Sequence, residues 1–376
     1  MAESTTQASS PSAIVQQRPL LNRLKYGAIA FALQNLLVGP VLFFRDVKDY
    51  LKPPAIRPDI IKTYPCRKHL PVRIFLPPSH TAGTPLPALF TIHGGGFMLG
   101  SPNDNDTWNA AFAAQHHALV IALNYAKAPA NPYPGPTDDV EALLLAALVD
   151  SSLPPIRAAA LLGWSAGGNL SLTVAQRPAV RATGKIKAVV PLYPVVDFTL
   201  PWEVKTASRR YKQALGGYRG KGRDVVGGMG AVFNWAYLPL GTDLRDPGVS
   251  ALFAPRESLP DHIFILAAEL DMLAQEAWRA ACLWGNKQVP GLAEVPGKEE
   301  VVGKGELVLD DERFGWEEKG IRWLLVPDTV HGFDQNIGSV VRDEVLMEDA
   351  RIKTEKTRGI IGQWLLQGPL KELGTV

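Results

Sequence analysis

Residues 163–167 read Gly-Trp-Ser-Ala-Gly, a G-x-S-x-G pattern that lies between an apolar run and a helical stretch. In that context the serine sits on a sharp turn, with its hydroxyl exposed and its neighbouring glycines letting backbone approach closely. A serine hydroxyl alone is a weak nucleophile at neutral pH, so Ser165 needs a base. His331, in His331-Gly332-Phe333, is the candidate, and Asp271, in Ala268-Glu269-Leu270-Asp271, is the group that would orient it. A second glycine cluster, His93-Gly94-Gly95-Gly96-Phe97, follows another apolar run. The N–H groups of Gly95, Gly96 and Ala166 are expected to face a developing oxyanion. Together these groups could attack an acyl carbonyl, hold the acyl group covalently and release it to water.

Other residues compete for these roles. Glu269 or Asp261 could stand in for Asp271, which is preferred because it falls just past the end of a strand. Asp328 and Asp334 read as surface or turn residues. His116 and His117 end a helix, His93 braces the glycine loop, and His69, His80 and His262 belong to no motif. The histidines are scattered without H-x-x-x-H or H-E-x-x-H spacing, so no metal site is expected.

The elements that must position these groups are legible as alternating runs. Apolar stretches at 72–75, 87–93, 118–125, 158–164, 186–193, 262–269 and 321–327 are continuous more often than alternating, as in strands covered on both faces. Helical stretches fall between them at 138–149, 165–177 and 272–285, with another at 342–366. This order implies an α/β fold with a mainly parallel sheet, helices on both faces and functional groups beyond the carboxyl ends of the strands.

Two segments break the alternation. Residues 198–253 are loop-rich and carry Lys205, Arg209, Arg210, Lys212, Arg219, Lys221 and Arg223; a mobile segment with a solvated basic face is expected. Residues 286–320 are polar and read as a partly flexible surface insertion. Near the N-terminus, the Ser/Thr/Ala-rich residues 1–13 are expected to be disordered. Residues 26–44 form an apolar stretch between basic flanks, interrupted by Gln34, Asn35, Gly39 and Pro40. A helix that packs over the site or lies on a membrane surface is favoured there over a true span.

Bulk properties narrow the function classes. Of 376 residues, 39 are Lys or Arg and 37 Asp or Glu, a balance that creates no field toward nucleic acid. The two cysteines, Cys66 and Cys282, fit no metal spacing and read as reduced thiols, pointing to a cytoplasmic protein, whose contact with a membrane would run through residues 26–44.

The motifs HGGGF (93–97), YAKAPANPYPGPTDD (125–139), GWSAGGN (163–169), AELDML (268–273) and HGF (331–333), in this order, resemble the hormone-sensitive-lipase-like group of α/β-hydrolases, which includes arylacetamide-deacetylase-like and fungal esterases. The resemblance runs from about residue 71 to 366. It implies an α/β-hydrolase fold with an eight-stranded sheet and a helical cap. Residues 1–58 would form a tail and a cap or membrane-surface helix. Residues 59–376 would form the catalytic domain, with 198–253 inserted as cap. It also implies a carboxylesterase acting on small or medium acyl esters without a cofactor. In this chain Tyr125-Ala126-Lys127-Ala128-Pro129-Ala130 departs from the group's Y-R-L-A-P-E, so an ion pair usual in the group is expected to be missing. Gln275 replaces a usual acid. These departures suggest a pathway-dedicated enzyme, for instance of secondary metabolism. A thioesterase or acyltransferase would use the same acyl-enzyme. A non-catalytic binder of this fold would be expected to lack the histidine that is present here as His331.

Overall fold

The computed structural model describes residues 13–78, 80–81, 83–222, 224, 226–335 and 343–371. Residues 1–12, Arg223 and Arg342, to which the expectations above refer, lie outside the described residues. Residue 13, expected to belong to the disordered start, is instead tied down: the Ala13 carbonyl accepts from Leu244 N, and Val15 N donates to Thr242 O.

Among the described residues, nine strands form one sheet: β1 (Ile60–Lys62), β2 (Val72–Phe75), β3 (Leu86–Ile92), β4 (Leu119–Leu123), β5 (Ile156–Trp164), β6 (Ile186–Leu192), β7 (His262–Ala268), β8 (Gly315–Glu318) and β9 (Ile321–Val326). Their order is β1-β2-β4-β3-β5-β6-β7-β9-β8, parallel from β4 through β9 and antiparallel at both edges. The strand count corrects the expected eight. The ninth comes from the 286–320 segment, whose end folds back as β8 in a tight turn through Lys319 and Gly320.

Both faces of the sheet are buried, which explains why the strands read as continuous apolar runs. In β4, Leu119, Ile121 and Leu123 pack into one core layer, and Val120 and Ala122 into the other. Helices Gly135–Leu148, Ala166–Ala175 and Ala274–Trp284 cover the first face; helices Asp106–His116 and Glu344–Gln367 cover the second.

Residues 198–253 hold the helices Trp202–Ala207 and Gly230–Tyr237, and four of the segment's basic side chains turn inward, while Lys221 stays exposed and Arg210 is half-buried. Lys205, Arg209, Lys212 and Arg219 are all buried. Lys205 pairs with Glu276 at 2.5 Å, Arg209 with Asp224 at 3.0 Å, and Arg219 with Asp349 at 2.9 Å. Lys212 bridges Glu269 at 2.7 Å and Asp328 at 2.6 Å. The correction has a plain cause. Buried carboxylates behind the strand ends demand cations, and this segment folds inward to supply them.

The apolar stretch near the N-terminus belongs to a longer helix than expected. It runs Leu20–Phe31, loosens into a π-helical stretch at Ala32–Val38 and resumes at Gly39–Leu51. Pro40 does not end it, because the wider π turn accommodates a residue that cannot donate a backbone hydrogen bond.

Candidate active site

Strand register brings the motifs together. β3 and β5 are parallel neighbours with Ile92 opposite Gly163, so the glycine loop after β3 and the serine turn after β5 emerge side by side. β7 and β9 are likewise neighbours with Ala268 opposite Val326, which places the loops of Asp271 and His331 against each other. A backbone hydrogen bond from Leu270 N to Thr329 O, at 2.8 Å, joins those two loops.

Ser165 has φ 54° and ψ −115°, a region that L side chains rarely adopt. The turn is possible only because its flanks lack side chains. A Cβ on Gly163 would lie 2.0 Å from the Gly167 carbonyl oxygen, and one on Gly167 would lie 2.1 Å from that of Ile92. Ser165 Oγ lies 2.9 Å from His331 Nε2, and His331 Nδ1 lies 2.7 Å from Asp271 Oδ2. The other oxygen of Asp271 accepts from Leu273 N at 3.0 Å. Asp271 is fully buried, whereas 12% of the His331 side chain remains exposed. Burial by itself would push the imidazole pKa down, but the charge and hydrogen bond of Asp271 outweigh it and raise it above the usual histidine value.

The rival acids point elsewhere. Glu269 binds Lys212 and accepts from Lys298 N and Asp328 N, and Asp261 lies at the opposite end of β7. Asp328 and Asp334 both lie in turns, as one of the two expected readings has it, but both carboxylates hold partners inside the protein rather than water. Asp328 is buried and accepts from Lys212, Val302 N and Gly303 N. Asp334 accepts from Trp164 Nε1 at 2.7 Å and from the Tyr193 hydroxyl, whose ring centroid lies 4.7 Å from that of His331. Tyr193 and Asp334 thus buttress the histidine, a role sequence reading missed because neither lies in a motif.

Gly94, Gly95, Gly96 and Ala166 line the same cavity as Ser165 and His331. Gly95 has φ 105° and Gly96 φ 58°, and a Cβ on Gly96 would lie 2.5 Å from the Phe233 ring. Behind the loop, His93 is buried, stacks on Tyr125 with ring centroids 4.3 Å apart and contacts the Gly94 carbonyl oxygen at 2.8 Å. Burial and the adjacent Lys127 hold its pKa well below the usual value, so the ring is neutral: Nδ1–H donates to Gly94 and Nε2 accepts from Lys127 at 3.0 Å. The ion pair lost from the 125–130 stretch is replaced rather than simply missing. Asp139 pairs with Arg67, from outside that stretch, and accepts from Ala126 N and Asn131 Nδ2 at 3.0 Å each.

The cavity measures about 340 Å³ and its walls are mainly apolar, with Phe97, Phe198, Trp202, Met229, Phe233 and Leu273 prominent. Among the described residues, no group of three or more His, Cys, Asp or Glu is placed to hold a metal ion, and Cys66 and Cys282 are free thiols.

Residues 89–299 match the α/β-hydrolase fold family. A carboxylesterase of Mycobacterium tuberculosis is 36% identical over 110 residues, covering 28% of this chain and 34% of that protein. An ethyl acetate hydrolase of Pseudomonas putida is 30% identical over 209 residues, covering 54% of this chain and 62% of that protein. The match therefore spans from about a third to under two thirds of these relatives' lengths. The structure of an esterase from Pyrobaculum calidifontis superposes with a TM-score of 0.61 at 22% identity, over 93% of this chain and 99% of that one. With more than half of its length matched and the sheet order described above, the chain belongs to the α/β-hydrolase fold family, in the hormone-sensitive-lipase-like group that its motifs resemble.

Proposed function

We propose that the protein is a serine carboxylic-ester hydrolase with Ser165 as nucleophile, His331 as general base and Asp271 as the residue that orients the imidazole. The observation that carries this reading is the continuous hydrogen-bonded chain from Ser165 Oγ through His331 to Asp271, at 2.9 and 2.7 Å. As Oγ attacks the ester carbonyl carbon, His331 Nε2 takes its proton, and Asp271 stabilises the resulting imidazolium. The carbonyl oxygen becomes an oxyanion facing the N–H groups of Gly95, Gly96 and Ala166, each such donor contributing about 2.7–4 kcal/mol of transition-state stabilisation. The tetrahedral intermediate collapses, His331 returns the proton to the leaving alcohol, and an acyl-serine remains. Water, deprotonated by His331, then attacks that acyl group and frees the acid.

A cavity of about 340 Å³ with apolar walls suits a small or medium acyl ester, in keeping with the carboxylesterase and the ethyl acetate hydrolase that the chain resembles. In this reading residues 59–376 are the catalytic domain and 198–253 its cap. The test is hydrolysis of p-nitrophenyl butyrate, together with labelling by a fluorophosphonate. Ser165→Ala and His331→Ala should each lower kcat about 10⁴-fold or more, and Ser165→Ala should abolish labelling. Near wild-type turnover in either variant would sink the assignment. Adding an acceptor alcohol or thiol to the assay and analysing the products separates hydrolysis from acyl transfer.

A further inference from the structure

The 32-residue helix Leu20–Leu51 carries the largest run of exposed apolar side chains among the described residues. Leu21, Phe31, Leu37, Val41, Phe44 and Leu51 are each at least 59% exposed. Folded proteins rarely leave such a face in water, because patches beyond a few hundred Å² (roughly) mark a contact surface.

Two observations decide what covers it. The first is charge. Residues 18–57 contain seven basic and two acidic side chains, a net of +5, while the rest of the chain carries −3. A second copy docking through the same face would bring two net positive segments together, because a two-fold contact is self-complementary. An anionic lipid surface offers the opposite charge, worth about 1 kcal/mol for each Lys or Arg near it. The second is how the inner side of the helix is held. Ala30 is buried, Tyr26 packs on Trp235 with ring centroids 6.3 Å apart, and Gln34 Nε2 donates to Met98 O at 2.9 Å and Ala128 O at 2.8 Å. Arg45 pairs with Asp104 at 3.2 Å. A membrane span needs about 20 residues clear of the protein. These anchors, spread from Tyr26 to Arg45, leave no such stretch.

We propose that the outer face of Leu20–Leu51 docks onto the surface of an anionic lipid bilayer and lies in the plane of the interface without crossing it. The apolar side chains enter the headgroup–acyl boundary, and Arg23, Lys25 and Lys48 meet lipid phosphates and carboxylates. The geometry also places the bilayer near the cavity. Leu20–Phe31 packs on the helix Gly230–Tyr237, whose Phe233 and Asn234 line the cavity. An apolar ester dissolved in the membrane would thus reach the serine past a single helix. This last step rests on the esterase reading; the docking itself does not.

The test is co-sedimentation of the full chain with vesicles of phosphatidylcholine alone, and of phosphatidylcholine with about one third phosphatidylserine. Binding should be at least about tenfold tighter to the anionic vesicles and should weaken with added salt. The triple variant Phe31→Glu/Leu37→Glu/Phe44→Glu should lose about a hundredfold in vesicle affinity, with the Tm and the hydrolysis of a water-soluble ester unchanged. Should that variant misfold, Arg23→Glu/Lys25→Glu/Lys48→Glu must remove the preference for anionic vesicles. Equal binding by wild type and both variants overturns the proposal. So does retention in the membrane after an alkaline carbonate wash, which would mean a span. So does the absence of vesicle binding together with a dimer that the triple variant abolishes. Vesicle binding is read without catalysis, so an inactive protein that still binds vesicles would sink the esterase reading and leave the docking intact.

Discussion

Arg209 Nε lies 3.0 Å from Asp224 Oδ2 in a buried ion pair that clasps the loop of Asp271 from the segment above it. The same Nε donates to the Leu270 carbonyl oxygen at 2.8 Å, and the same carboxylate oxygen accepts from Met272 N at 3.1 Å. The two backbone groups that flank Asp271 are therefore held by the 198–253 segment, which ties the shape of the cavity roof to the position of the acid.

Removing one member of this pair leaves the other charge buried and uncompensated. Arg209→Met should lower unfolding stability by about 3–5 kcal/mol, measured by urea denaturation. The double variant Arg209→Met/Asp224→Leu should recover part of that loss, since neither charge remains. Strictly additive effects in the double-mutant cycle would show that the pair is not coupled.

The raised pKa of His331 sets the acid limb of the activity profile. The base must be neutral to accept the serine proton, so kcat/KM should fall as pH drops through a midpoint above 6.5, the ordinary value. In Asp271→Asn the largest raising influence vanishes, while burial and the smaller raising charges of Asp224 and Asp334 remain. Its limb should move to lower pH while kcat drops about 10⁴-fold. Glu269→Gln, which breaks the contact with Lys212 instead, should reduce stability and leave the limb in place. A shifted limb in Glu269→Gln, or an unshifted one in Asp271→Asn, would exchange the roles of the two acids.

Lys127 offers a stability test. Burial lowers its pKa from 10.5 to about 7, so the folded chain holds a largely neutral amine over a range in which the unfolded chain still binds the proton. Where the unfolded state binds more protons, stability rises with pH. Lys127 should therefore add a rising contribution between about pH 7 and 10.5 that is absent below it. Lys127→Met should flatten this part of the stability profile relative to wild type. Parallel curves for the two proteins in thermal or urea unfolding would refute it.

What could be read from the chain alone was local. The glycines around Ser165 and after His93 are required by backbone crowding within a few residues, and continuous apolar runs follow from strands covered on both faces. Those patterns carried the parallel sheet, the serine turn, the glycine loop and the chain order of Ser165, Asp271 and His331. What only the tertiary structure decided was pairing across distance. Lys205, Arg209, Lys212 and Arg219 looked like a solvated face because charge prefers water unless a partner waits inside, and their partners lie up to 130 residues away. Asp328 and Asp334 are one residue type two and eight positions past the same β9 strand end, yet one holds Lys212 and the other Tyr193 and Trp164. The ninth strand and the unbroken helix through Pro40 depended likewise on a neighbouring strand and on a π turn, neither of which leaves a mark in local composition.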